Sequence, residues 1–250
     1  MSNNFLNSIP PVTRHLITVN VVVWLISCFL LYTQNFDLDR YLGLHYPASQ
    51  DFNPAQLVTY MFMHDSRGIA HIFFNMFSLY MFGRLLEQVL GGKRFLFYYI
   101  STGLGAAIVQ LIVMHLQIAS AERLMTPEMI NEVYMKGYDL INQGYNYVDP
   151  NLANLNALLN ANVVGASGAV FGILLAFGMI FPNIPLYLFF IPVPIKAKYM
   201  VIGYGLLELI FGVSGTMSGV AHFAHLGGMI FGILIILYWK KKGIIGGRYY

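Results

Sequence analysis

The sequence is short of charge. Of its 250 residues, 10% are Asp, Glu, Lys or Arg and 57% are hydrophobic, whereas a soluble chain carries about a quarter charged residues. That excludes an ordinary soluble domain and points to a membrane protein. Cysteine is nearly absent. Cys28 stands alone inside the first apolar run, so no intrachain disulfide can form and the residue reads as a small packing group. The net charge of +3 is carried by scattered basic residues, which argues against a nucleic-acid partner. The first fifteen residues, MSNNFLNSIPPVTRH, are polar, and no cleavage-like site follows the first apolar run; that run is expected to be a retained anchor. There is no H-E-x-x-H pattern, and neither a metal nor a cofactor is expected. Internal repeats are missing too, which disfavours an inverted-repeat transporter or channel.

What the chain does contain is apolar length. A spanning helix needs roughly 20 mostly apolar residues, and six stretches approach that, at about 16–33, 69–90, 95–117, 163–181, 199–216 and 219–239. Pro182, Pro185, Pro192 and Pro194 interrupt helix after the fourth. With the N-terminus inside, the inner segments hold Arg14, Arg84, Lys93, Arg94, Lys196, Lys198, Lys240, Lys241, Lys242 and Arg248 against one acid, Glu87. The outer segments hold most of the acids. This basic bias places both termini in the cytoplasm, and the tail KKKGIIGGR reads as an anchor at anionic headgroups. The expected architecture is a single all-α membrane domain over 1–250, with outer loops at 34–68 and 118–162. One helix is expected in the second loop, where Thr126 suits an N-cap, Pro127 the first helical position and Glu128 the positive end of the dipole. Its weak pattern of Met129, Val133 and Leu140 would let it lie on the membrane surface.

Polar groups inside lipid are costly and call for a reason. The spans hold His71 and Asn75, Ser167, Glu208, and His222 and His225. Spans two, four and six run in the same direction, from outside to inside. Counting along them puts Ser167 about four residues into span four and His225 about six into span six, roughly 6–9 Å below the outer helix ends. His71 and Asn75 are four apart and share a face. Gly168 with Gly172, and Gly228 with Gly232, form small-x-x-x-small pairs that let helices approach closely. If these spans pack through their glycines, Ser167 and His225 come within hydrogen-bond reach, the unit of nucleophilic acyl transfer. The Ser167 N–H, His71 and Asn75 are candidate oxyanion donors, and Phe171 a candidate aromatic wall for the histidine. No carboxylate is evidently placed to orient His225, so the pair reads as a dyad. Glu208 is left to hydrogen-bond within the bundle or to take part in gating.

Each residue also has a plainer reading. Serine among glycines is common at helix contacts, and a lone interhelical histidine needs no chemistry. His71, His222 and His225 could bind a metal, although acidic ligands are lacking beyond Glu208. His222, one turn before His225, reads as a pocket-rim residue. The constellation at one depth is what favours a nucleophile.

The motifs HIFFN (71–75), GASG (165–168) and AHLGGMIFG (224–232), in that order, resemble the rhomboid family of intramembrane serine proteases. The stretch PAQLVTYMFMHDSRGIAHIFFNMFSLYMFG (54–83) also looks like that family's entry into its second span. The resemblance implies a six-helix rhomboid bundle and a serine endopeptidase acting on the transmembrane segments of other proteins. It implies Ser167 as nucleophile and His225 as general base. His71 and Asn75 would be oxyanion donors, and Gly165 part of the tight approach to the serine. The fifth span and the loop before the sixth would gate substrate helices, and a small residue would precede the cut. A catalytically silent helix-binding protein on the same fold is the main alternative. The basic bias suits a bacterial inner membrane. The expected partners are membrane-protein substrates and the lipid bilayer; the oligomeric state is not legible.

Overall fold

The computed structural model describes residues 8–188, 191–217 and 219–245. Arg248, counted above in the basic tail, lies outside the described residues. The fold is an all-α membrane bundle, with two short antiparallel strand pairs attached.

Helix α1 (Pro11–Gln34) starts with proline in its first turn and ends at Asn35 in the left-handed conformation (φ 51°), and two short helices, α2 (Leu38–Leu42) and α3 (Gln56–Thr59), follow it. The second span is continuous over Ile69–Leu90: α4 (Ile69–Ser78), a π-turn over Leu79–Gly83, and α5 (Arg84–Leu90). Glu87 of α5 caps α1. Its carboxylate accepts the N–H groups of Val12 (2.9 Å) and Thr13 (2.7 Å) and the Thr13 hydroxyl (2.7 Å). This satisfies donors that a helix N-terminus otherwise leaves open, and it gives the buried Glu87 carboxylate a structural task. The start of α1 and the Arg84–Arg94 stretch therefore lie at one end of the bundle. Lys240 donates to the Met179 carbonyl at 3.1 Å, which brings the last two of these chain ends together as well.

Helix α6 (Gly92–Glu122) has 31 residues, about 46 Å of helix, more than a bilayer core of about 30 Å requires. Its surplus supports the second outer segment. That segment contains two helices where one was expected, α7 (Pro127–Asn142) and α8 (Pro150–Asn160). Thr126 does cap α7, accepting the Met129 N–H. Val133 of α7 is buried with Leu155, Leu159, Ile118 and Ala121, so part of its apolar face packs on protein instead of lying free on a membrane surface.

Helix α9 (Ser167–Ile180) has 14 residues, about 21 Å, and is too short to span. Among the described residues, five other helices, beginning at Pro11, Ile69, Gly92, Ala197 and His222, are long and apolar enough. The expected start at 163 is corrected to 167. Asn162 and Val163 are instead extended as β2, paired antiparallel with β1 (Leu44–His45), and Gly165 adopts a φ of +131° that no helix accommodates. Apolar on all sides, α9 is buried. It packs against α6, α10 (Ala197–Ser214) and α11 (His222–Lys241). After α9 the proline-rich stretch forms a hairpin, β3 (Pro185–Leu188) with β4 (Ile191–Lys196). Exposed Val22, Leu25, Phe29, Ile112, Leu206 and Ile210 form part of an apolar outer belt, the surface that a bilayer would cover.

Candidate active site

The approach to Ser167 is set by Gly165. Its N–H donates to the Tyr60 carbonyl at 2.9 Å. At its φ of +131° a side chain would be strained, and a Cβ would stand 2.8 Å from His71 Nε2 and 3.0 Å from Cε1. The bend turns the chain into α9 with Ser167 as its first helical residue, not about four residues in. The N–H groups of this first turn have no partner within the helix and carry the positive end of its dipole.

Glycine contacts bring α11 onto this point. A Cβ on Gly228 would run into the Gly168 carbonyl oxygen and lie 2.8 Å from its carbonyl carbon, and one on Gly232 would lie 3.4 Å from the Gly172 Cα. His225, the fourth residue of α11 and not the sixth of a longer span, is carried to Ser167: its Nε2 lies 2.8 Å from Ser167 Oγ. The Phe171 ring stacks on the imidazole, with centroids 4.2 Å apart and an interplanar angle of 6°. The histidine is 7% exposed and the serine half-buried.

His71 has its Nε2 edge against Gly165, while its Nδ1 accepts the Asp65 N–H at 3.3 Å. A neutral imidazole that accepts at Nδ1 carries its proton on Nε2, so the edge turned toward Gly165 is a donor. Buried Asn75 donates from Nδ2 to the His71 carbonyl at 2.9 Å, which uses one of its two N–H bonds. His64 belongs to none of the three short motifs that the sequence marks. It is fully buried, with its ring 5.1 Å from that of His71. Burial first, and then the His71 ring, push its pKa down to about 3, so it stands neutral beside His71 at ordinary pH.

Two expectations are corrected at α10. His222 is not a pocket-rim residue: it is 5% exposed, with Nδ1 2.6 Å from Glu208 Oε2 and Nε2 3.2 Å from the Thr216 carbonyl oxygen. Both ring nitrogens face oxygen partners within the protein, so the ring is held between α10 and the turn after it. A carboxylate does stand beside His225, because Glu208 Oε2 is 3.0 Å from its Nδ1. The contact is close but out of line, so Nδ1 makes no hydrogen bond by geometry. The ligand atoms of Glu208, His222 and His225 lie within 4.8 Å of one another, a donor set that a divalent cation could use; the 2.6 Å contact is of hydrogen-bond length. Glu208 and His222 are 14 positions apart, separated by the end of α10 and a turn, and no local motif signals the pairing.

The sequence model of a family described as "Rhomboid domain" matches residues 52–242. The chain is also similar to RHOMBOID-like protein 12, mitochondrial, of Arabidopsis thaliana, with 31% identity over 174 residues; the match covers 69% of this chain and 42% of that protein. The chain thus spans less than half the length of this relative. With that match covering the apolar helices from Ile69 onward, including those that carry Ser167 and His225, the chain belongs to the rhomboid family.

Proposed function

We propose that the chain is an intramembrane serine endopeptidase that cleaves transmembrane segments of other membrane proteins. The observation that carries this reading is the 2.8 Å contact of Ser167 Oγ with His225 Nε2 at the start of α9. In the proposed reaction Ser167 Oγ attacks the scissile carbonyl carbon while His225 Nε2 takes its proton. The carbonyl oxygen becomes an oxyanion, held by the Ser167 N–H, His71 Nε2–H and the remaining Asn75 N–H. Collapse breaks the C–N bond, and His225 returns the proton to the leaving amine. A water then attacks the acyl-serine, again through His225, and frees Ser167. A peptide bond inside a helix is shielded and hydrogen-bonded, so substrates must unwind locally and carry helix-weakening residues, with a small residue before the cut. Phe171 keeps the imidazole plane fixed during both transfers. The chain is assigned to a bacterial inner membrane, with both termini in the cytoplasm.

The test uses purified protein in micelles or liposomes with a generic transmembrane substrate and a serine-directed fluorophosphonate. Wild type is expected to cleave and to label, and Ser167→Ala and His225→Ala to do neither. Cleavage that persists in Ser167→Ala overturns the assignment. Binding of transmembrane helices by a wild type that neither cleaves nor labels identifies the catalytically silent form of the fold. Solute flux without proteolysis identifies a transporter.

A further inference from the structure

Helix α10 faces outward along much of its length: Ile202, Leu206, Leu207, Leu209, Ile210 and Val213 are exposed. Glu208, its one acid, is turned the other way, with its side chain 14% exposed. Turning a carboxylate into a low-dielectric interface is costly unless it is paired. The inward face of α10 is made of Gly205, Glu208 and Gly212, at helical spacing. It meets His222, His225 and Met229 of α11, at the same spacing. A Cβ on Gly205 would stand 3.1 Å from Met229 Cε, and one on Gly212 would stand 3.3 Å from His222 Cβ. The two glycines bring α10 close enough for the carboxylate between them to reach both histidines.

We infer that Glu208 is a positioning residue for His225, delivered to the site by α10. This rests on the proteolytic reading above. His225 can accept the Ser167 proton at Nε2 only in the tautomer that carries its hydrogen on Nδ1. The Glu208 oxygen 3.0 Å from Nδ1 selects that tautomer. When Ser167 gives up its proton, His225 carries N–H on both nitrogens, and a small ring rotation brings Nδ1–H into line with the carboxylate. Such contacts tighten as the reaction proceeds. His222, bound to the same oxygen at 2.6 Å, holds the carboxylate in place. The base is therefore correctly oriented only while α10 is docked on α11, so that helix docking and catalytic competence become one event.

The experiment compares Glu208→Gln and Glu208→Met with wild type, as full-length protein in micelles. Both variants are expected to lower kcat by about 10–100-fold with KM within about twofold of wild type. Fluorophosphonate labelling should slow in parallel, and the unfolding midpoint should not fall. Glu208→Met keeps the side-chain bulk without a polar group, so a folding defect of one variant leaves the other to decide. Wild-type kcat in either folded variant overturns the inference. So does a loss of kcat that only follows a loss of folded protein. Zn²⁺ or chelator sensitivity present in wild type and lost in Glu208→Gln also overturns it, reassigning the three side chains to a metal site. A wild type that neither cleaves nor labels is a separate outcome and refutes the proteolytic reading itself.

Discussion

Gly228→Ala tests the packing logic of the site without touching a reacting group. The added Cβ runs into the Gly168 carbonyl group, 2.8 Å from its carbon. Carbon atoms in ordinary contact stand about 3.5–4.0 Å apart, so α11 must retreat from α9 by about 1 Å there. Backbone is on the receiving side, and no flexible side chain can yield instead. His225 lies one turn earlier on the same helix, and its 2.8 Å contact with Ser167 would stretch beyond the hydrogen-bond range of about 3.2 Å. A displacement of about 1 Å from productive geometry costs about 100-fold in rate, and overpacking costs about 1–3 kcal/mol of stability. Gly203→Ala is the control, since a Cβ there meets nothing within 4 Å and alanine gains about 1 kcal/mol of helix propensity over glycine. The assay is turnover of a transmembrane substrate with fluorophosphonate labelling, paired with thermal unfolding in one detergent. The expectation is a slow, poorly labelled Gly228→Ala beside an unaffected Gly203→Ala. A Gly228→Ala protein with turnover within about twofold of wild type would falsify the close-approach argument.

Three further outcomes follow from particular contacts. Gly165→Ala combines a strained φ of +131° with a Cβ 2.8 Å from His71 Nε2; it should lose about 1–3 kcal/mol and slow labelling of Ser167, and an unchanged labelling rate would refute the tight approach. Glu87→Ala strips the Val12 and Thr13 N–H groups of their acceptor, and a destabilisation of about 1–3 kcal/mol by chemical unfolding is expected. His64, with its pKa depressed from 6.5 to about 3, binds fewer protons folded than unfolded. Its contribution to stability is therefore complete above about pH 6.5 and is lost, at up to about 1.4 kcal/mol per pH unit, as pH falls toward 3. His64→Gln should flatten that slope, and equal slopes in variant and wild type would refute it.

Much of the helical frame is legible in local pattern. The second span runs over Ile69–Leu90, and Thr126 caps α7, because apolar length and capping chemistry are written within a few residues. The late start of α9, at Ser167, is not legible in that way. Residues 163–166 are as apolar as the helix that follows; what removes them from it is the pairing of Val163 with Leu44, more than a hundred positions away, and the φ of +131° at Gly165. A separation of 74 positions likewise hides Glu87 as the cap of α1, and even the 14 positions between Glu208 and His222 hide the carboxylate as the partner of two histidines, because the pair lies on different helices. A carboxylate on an apolar helix states only that it needs a partner; the helix that supplies the partner depends on packing.

The sequence by itself therefore determined the class of molecule, the number of apolar segments to within one full-length span, and the short set of polar residues that lipid would not tolerate idle. Those follow from transfer free energies, which depend on residue type and local run length. Tertiary structure alone decided that Ser167 opens its helix, that His222 is committed to Glu208 and Thr216, and that a carboxylate stands beside His225. Distances of about 3 Å between side chains on different helices depend on how closely the backbones can approach. That approach is set by glycines on facing helices, whose mutual alignment no single stretch of chain contains.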